Sequence, residues 1–189
     1  AYKVFGGDGS AGQGWPKQSE WKDFESLWKA NEPTMKKSCA QFQQKDNTQE
    51  EINNIKAAIK EVAASTKIPD AFILSIVMQE SKGCVRAPTT NYGFDNPGLM
   101  QSFNGKASCF NVSPCPKDKI VSMIKEGAGV GLEAGLTQSI KAAGGSDAQT
   151  YYRASRVYNS GSAPVGVNLG TGIATHCYSS DVANRLIGW

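Results

Sequence analysis

The sequence predicts a mainly α fold of the α+β kind: a helical domain around a central buried helix, with a loop and short-hairpin region forming one side of a cleft. Three observations predict it. The stretch "AFILSIVMQES" (71–81) is apolar nearly all round, the pattern of a helix enclosed on every side. Several flanking segments carry apolar residues at helical spacing with capping signals at their ends. Residues 84–115 instead concentrate Gly, Pro, Asn and Thr with little periodicity, which reads as loops and at most a short hairpin.

Taken in order, residues 1–18 are Gly-rich with Pro16, and predict an extended N-terminal arm lying on the domain. Ser19 opens a helical pattern with Trp21, Phe24, Leu27 and Trp28 on one face, and Pro33 is expected beyond its end. Thr48-x-x-Glu51 has the form of a capping box; Ile52, Ile55, Ile59 and Val62 supply the apolar stripe of the helix behind it, through about Ser65. Pro69-Asp70 starts the central helix and Gly83 closes it. Helical signals resume at Lys117–Lys125 and Leu132–Ala142, and a strong one follows Ser146, with Tyr151, Tyr152, Ala154, Ser155 and Tyr158 on related faces. A Gly/Pro-rich loop, Gly161–Gly172, precedes a short last helix near Ser180–Leu186. No internal repeat or linker interrupts the chain, so residues 1–189 read as one domain, expected to be a monomer.

Composition bounds the function. The 189 residues are 40% apolar and 20% charged, with a net charge of +3. That bias suits approach to an anionic polymer but is too small and too evenly spread for a nucleic-acid partner, and no stretch is long enough to span a membrane. The five cysteines (Cys39, Cys84, Cys109, Cys115, Cys177) form no CxxC pair, and His176 is the one histidine, so neither a zinc site nor a Ser-His-Asp or Cys-His hydrolase is supported. No metal or cofactor is expected. Two disulfides and one odd thiol fit a secreted, extracellular protein; Cys109 and Cys115, bracketing a Pro-containing loop, are the first pair, and the partners among Cys39, Cys84 and Cys177 stay open. Asn111-Val112-Ser113 is a glycosylation sequon weakened by Pro114, and the opening "AYKVFGGDGS" reads as a mature product. The glycines of "GAGVGLEAG" have the wrong spacing for a phosphate loop.

One carboxylate stands out. Glu80 follows Ile73, Ile76 and Val77 by seven, four and three residues, so all four share one helix face. It also falls in the last turn, where the helix dipole disfavours an anion. Desolvation and dipole both favour a protonated carboxyl near neutral pH, the state required of a general acid in glycoside cleavage. A Glu bending into solvent at a frayed helix end is the alternative.

Three motifs in order give this residue a context: "ESKG" from Glu80, Gly98-Leu99-Met100-Gln101, and Tyr158-Asn159-Ser160-Gly161. Over about residues 70–162 they resemble the "ES…GLMQ…YNAG" set of soluble lytic transglycosylases and goose-type lysozymes. The texture of "PTTNYGFDNPGLMQ" and "GIATHCYSSDVANRLIGW" is similar to secreted fungal muramidases of the lysozyme fold. The resemblance implies that Glu80 is the proton donor and that Ser81 orients a carboxyl or contacts sugar. It implies that Gly98, Leu99, Met100 and Gln101 cross under the cleft, with Gly98 and Met100 among the substrate contacts and Gln101 offering its amide to an N-acetyl group or ring hydroxyl. Tyr158 and Asn159 would enter from the opposite helix end, Tyr158 hydrogen-bonding near the reacting centre. Among the loop residues, Asn91, Asn96, Asn104 or Asn159 could orient a water or the acetamido group, and Tyr92, Phe94, Phe103 and Tyr151 could stack on sugar faces. The implied substrate is the glycan strand of bacterial peptidoglycan.

The second catalytic group is open. Goose-type enzymes carry acidic residues just before and just after GLMQ. Here Asp95 lies three residues before Gly98, and Ser102, Phe103 and Asn104 follow the motif. Asp95 is the one acidic residue between Glu80 and Asp118, hence the candidate base, although Asp-Asn-Pro-Gly is also turn chemistry. Without it, a lytic route using Glu80 alone or a substrate-assisted route remains, as does a catalytically silent glycan-binding protein.

Overall fold

The computed structural model describes residues 1–164, 166–171 and 174–189. Seven α-helices form the described fold: α1 (Phe24–Met35), α2 (Gln49–Thr66), α3 (Asp70–Ser81), α4 (Lys117–Ala128), α5 (Leu136–Ala143), α6 (Ala148–Ser160) and α7 (Tyr178–Leu186). Two two-residue strands, β1 (Thr90–Asn91) and β2 (Asp95–Asn96), pair antiparallel with Thr90 opposite Asn96. The fold is therefore mainly α with one short hairpin, as the periodicity predicts.

Helix α3 is the axis of the core. Every residue from Ala71 to Met78 is buried, and α1, α2 and α7 pack against it. Phe72, Ile73, Leu74, Ile76, Val77 and Met78 are each withdrawn from water, worth about 1.5–3 kcal/mol apiece before entropy is counted. This burial on all sides fixes where the helix ends, and so where Glu80 emerges.

Helix α2 begins as predicted. The Thr48 hydroxyl accepts from Glu51 N at 3.0 Å, and Glu51 Oε1 accepts from Thr48 N at 2.8 Å. Glu51 does more than cap. Its buried carboxylate takes a bidentate pair from the buried Arg86 guanidinium, at 2.7 and 2.8 Å, and also accepts from Cys115 N at 2.7 Å. Arg86 in turn donates to the carbonyls of Lys45, Asp46 and Val112. One ion pair thus gathers the start of α2, the segment after α3 and the Cys109–Cys115 loop.

Three expected boundaries shift. The first helix starts at Phe24, not Ser19, because Asp23 supplies the N-cap and accepts from Ser26 N at 2.8 Å. Trp21 lies ahead of it and donates its indole N–H to the Tyr152 hydroxyl at 2.8 Å. Pro33 sits inside α1: burial of Met35 against Gly83, and donation to the Met35 carbonyl by Ser38 Oγ and Asn47 Nδ2, hold the last turn closed around it. The Leu132–Ala142 pattern becomes helical only at Leu136, since Gln138 Nε2 donates to the Gly129 and Leu132 carbonyls and folds the preceding residues as a turn. Cys39 pairs with Cys84 and Cys109 with Cys115; Cys177 is free and exposed.

The arm lies on α7, where Lys3 N donates to Asn184 Oδ1 at 2.8 Å and Phe5 N to Ser180 Oγ at 3.0 Å, while Trp15 is buried. The Gly161–Gly172 loop is described except at Val165 and Gly172, which with Ile173 lie outside the described residues. No helix among the described residues is long and apolar enough to cross a membrane.

Candidate active site

Glu80 sits half-buried in the last turn of α3, ahead of Lys82, whose left-handed φ of 53° ends the helix. Its Oε1 accepts from the Tyr178 hydroxyl at 2.7 Å. Burial drives the carboxyl up from its ordinary range to about 7, and the Tyr178 hydrogen bond, which favours the anion, works against that rise. At neutral pH the group is poised between its two states, as proton donation requires.

Tyr178 opens α7 and is buried. Its own ionisation is pushed well up by burial and then by the Glu80 charge, so it stays a donor throughout the physiological range. Tyr158, on α6, also feels the Glu80 charge after burial, and its hydroxyl donates to the Met100 carbonyl at 2.6 Å. Two phenols from two helices therefore stand around one carboxyl.

The Gly98–Gln101 segment is held from both sides. Ser81 Oγ, on α3, donates to the Leu99 carbonyl at 2.8 Å, and Tyr158, on α6, holds the next carbonyl. Gly98 has φ +77°, and a Cβ there would stand 2.6 Å from Met123 Sδ on α4. Its glycine serves packing against α4. Leu99 and Met100 are fully buried and pack, so Met100, expected among the substrate contacts, presents no surface to a sugar.

Several expected contacts turn out to be internal. Ser81 is 1% exposed and donates inward, so it braces the segment and offers nothing to a sugar. The Gln101 amide donates to the Pro88 and Gly98 carbonyls, and its Oε1 accepts from Thr90 Oγ1 at 2.8 Å, tying the hairpin to the turn. Asn159 Oδ1 accepts from Arg156 Nη2 and from Thr175 N. Tyr151 packs on Phe72 and Trp21, facing the core and not a cleft.

The hairpin and the turn after Gln101 carry exposed aromatic residues. Tyr92 is 86% exposed, and Phe94 and Phe103 pair with ring centroids 4.7 Å apart, both partly open to solvent. Asn91 Nδ2 donates to Asp95 Oδ1 at 2.8 Å, and Asn91 Oδ1 accepts from Gly93 N. Asp95 is exposed, and its carbonyl accepts from Asn104 N. Asp95 Oδ1 is thus engaged within the hairpin itself. The Asn91 bond explains Asp95 as hairpin chemistry.

Tyr178 is a site residue that the sequence pattern leaves unmarked, because it lies ahead of the last helix predicted near Ser180–Leu186. The spacing Tyr178-Val182-Leu186, each four residues on, was the available signal. Among the described residues no group of three His, Cys, Asp or Glu could hold a metal. A broad depression of about 470 Å³ by Asp70, Lys60 and Glu25 lies at the opposite end of α3, about 15 Å of helix from Glu80. Searches of family models, curated proteins and solved structures find no match to this chain.

Proposed function

We propose that the protein is a secreted muramidase of the lysozyme-like group that cleaves the β-1,4 bond between N-acetylmuramic acid and N-acetylglucosamine in bacterial peptidoglycan, with Glu80 as general acid. The observation that carries the reading is the partly buried Glu80 carboxyl, raised to about 7 and oriented by Tyr178, beside the Gly98–Gln101 segment that its motif anticipated. The acid protonates the leaving oxygen as the glycosidic bond breaks, and the Tyr178 hydrogen bond then steadies the carboxylate left behind. The exposed Tyr92, Phe94 and Phe103 offer apolar faces on which pyranose rings stack. Two disulfides fit an oxidising, extracellular setting.

Hydrolysis is the first reading. The engagement of Asp95 with Asn91 in the exposed hairpin favours a second, in which Glu80 acts alone: having given its proton to the leaving oxygen, it takes one from the muramyl C6 hydroxyl as that oxygen closes on C1, and the product is a 1,6-anhydro sugar. Mass spectrometry of a peptidoglycan digest separates the two, because the anhydro product is lighter by one water. Reducing-end muramic acid supports hydrolysis. Absence of any cleaved strand refutes both and leaves a glycan-binding protein.

A further inference from the structure

Arg156 is 3% exposed within α6 and has no carboxylate partner in any ion pair of the described residues. Its Nη1 donates to the carbonyls of Leu169 at 3.1 Å and Thr175 at 2.8 Å, its Nε to Ser160 Oγ at 3.1 Å, and its Nη2 to Asn159 Oδ1. These acceptors are neutral, and Val165, Gly172 and Ile173, outside the described residues, are uncharged as well. The contrast is Arg86, equally buried but neutralised by Glu51. Carbonyls solvate a buried cation without cancelling its charge, and an uncompensated buried charge costs several kcal/mol.

Arg156 is among the residues that line a pocket of about 260 Å³, between the end of α6 and the loop that follows, together with Ser160, Ser162, Asn168 and Thr171 and four apolar residues that include Leu169. The walls thus combine one cationic residue with hydroxyl, amide and apolar ones, and no acid is among them. Four of the five guanidinium N–H groups are committed in the bonds above. Arg156 also neighbours the candidate site: Tyr158 and Asn159 lie two and three residues further along α6, and the Tyr178 phenol that meets Glu80 feels the Arg156 charge.

We propose that this pocket receives a carboxylate, which supplies the counter-charge Arg156 lacks, and that its occupant is the peptide carboxylate carried by the muramyl residue of the glycan strand. The choice of occupant rests on the muramidase reading; the chemistry of the pocket does not. A small free carboxylate such as acetate offers the same group without the peptide.

The test is calorimetric titration of the Glu80→Gln protein, with N-acetylmuramyl-L-alanyl-D-isoglutamine, with the same compound amidated at its one free carboxylate, and with acetate. The acid form is expected to bind about tenfold or more tighter than the amide, the scale of a charge-assisted hydrogen bond. Asn168→Asp places a negative charge on the exposed wall and keeps an oxygen for Gly170 N, so it should abolish that preference. Ser162→Asp, also exposed, makes the same test should Asn168→Asp not fold. Equal affinity for acid and amide, undetectable binding of both, or a preference that survives the added charge overturns the proposal. Acetate binding as tightly as the muramyl peptide overturns the peptide occupant. Cleavage of peptidoglycan without acid–amide discrimination refutes this inference alone. Discrimination by a wild-type protein that cleaves nothing refutes the muramidase reading alone.

Discussion

The Tyr178 hydroxyl on α7 donates to Glu80 Oε1 on α3 at 2.7 Å, across 98 residues of sequence. The bond stabilises the carboxylate, whereas burial stabilises the acid, and burial prevails. Removing the donor should therefore push Glu80 further up. In Tyr178→Phe the alkaline limb of kcat/KM, where the protonated acid is lost, should move upward from about 7 by about one unit. A pH–rate profile on soluble glycan strands reads this directly, and an unmoved or lowered limb would show that Tyr178 does not tune the acid.

Glu80 should also cost the fold stability at alkaline pH. Its carboxyl ionises near 4.5 when unfolded and near 7 when folded, so between those values the folded state holds the extra proton. Stability then falls as pH rises through that window and stays lowered above it. Glu80→Gln, which cannot ionise, should match wild type at pH 4 and exceed it at pH 8 by about 2–3 kcal/mol, or several degrees in Tm. Thermal unfolding at the two pH values checks it; equal curves at pH 8 would mean the carboxyl is not held in a desolvated place.

Asp95→Asn keeps an oxygen to accept from Asn91 Nδ2 and removes the charge. Wall-clearing should fall less than about threefold, since the hairpin bond survives and Asp95 is committed to it. A loss of a hundredfold or more with an intact fold would restore Asp95 as the base that activates water.

Gly98→Ala asks whether the turn beneath the site tolerates a side chain. The φ of +77° and a Cβ at 2.6 Å from Met123 Sδ both oppose it, and a loss of about 2 kcal/mol or more in urea unfolding is expected. Activity should fall as well, because the adjacent Leu99 and Met100 carbonyls anchor to Ser81 and Tyr158. Unchanged stability would mean that α4 yields freely to the segment.

How much of this was legible in the sequence depends on whether a residue's role is local. The capping box at Thr48–Glu51, the all-apolar α3 and the Cys109–Cys115 pair were readable because each is fixed by neighbours in the chain. Pro33 misled because the end of α1 is decided by Met35 packing under Gly83, a contact 48 residues away. Glu80 could be singled out because its conflict with an apolar face is a pattern within one helix. The use of Ser81, Gln101 and Asn159 as internal braces could not, because their partners are carbonyls and amides contributed by other segments. The same holds for Arg156, whose lack of a counter-ion exists only in three dimensions.

The most direct measurement is turbidity clearing of bacterial walls by Glu80→Gln, with circular dichroism to establish that it folds. Glutamine keeps an acceptor for Tyr178 but has no proton to give a leaving oxygen. The account predicts a loss of at least about a hundredfold, the scale of one general acid. Clearing at near wild-type rate by a folded Glu80→Gln protein would contradict it.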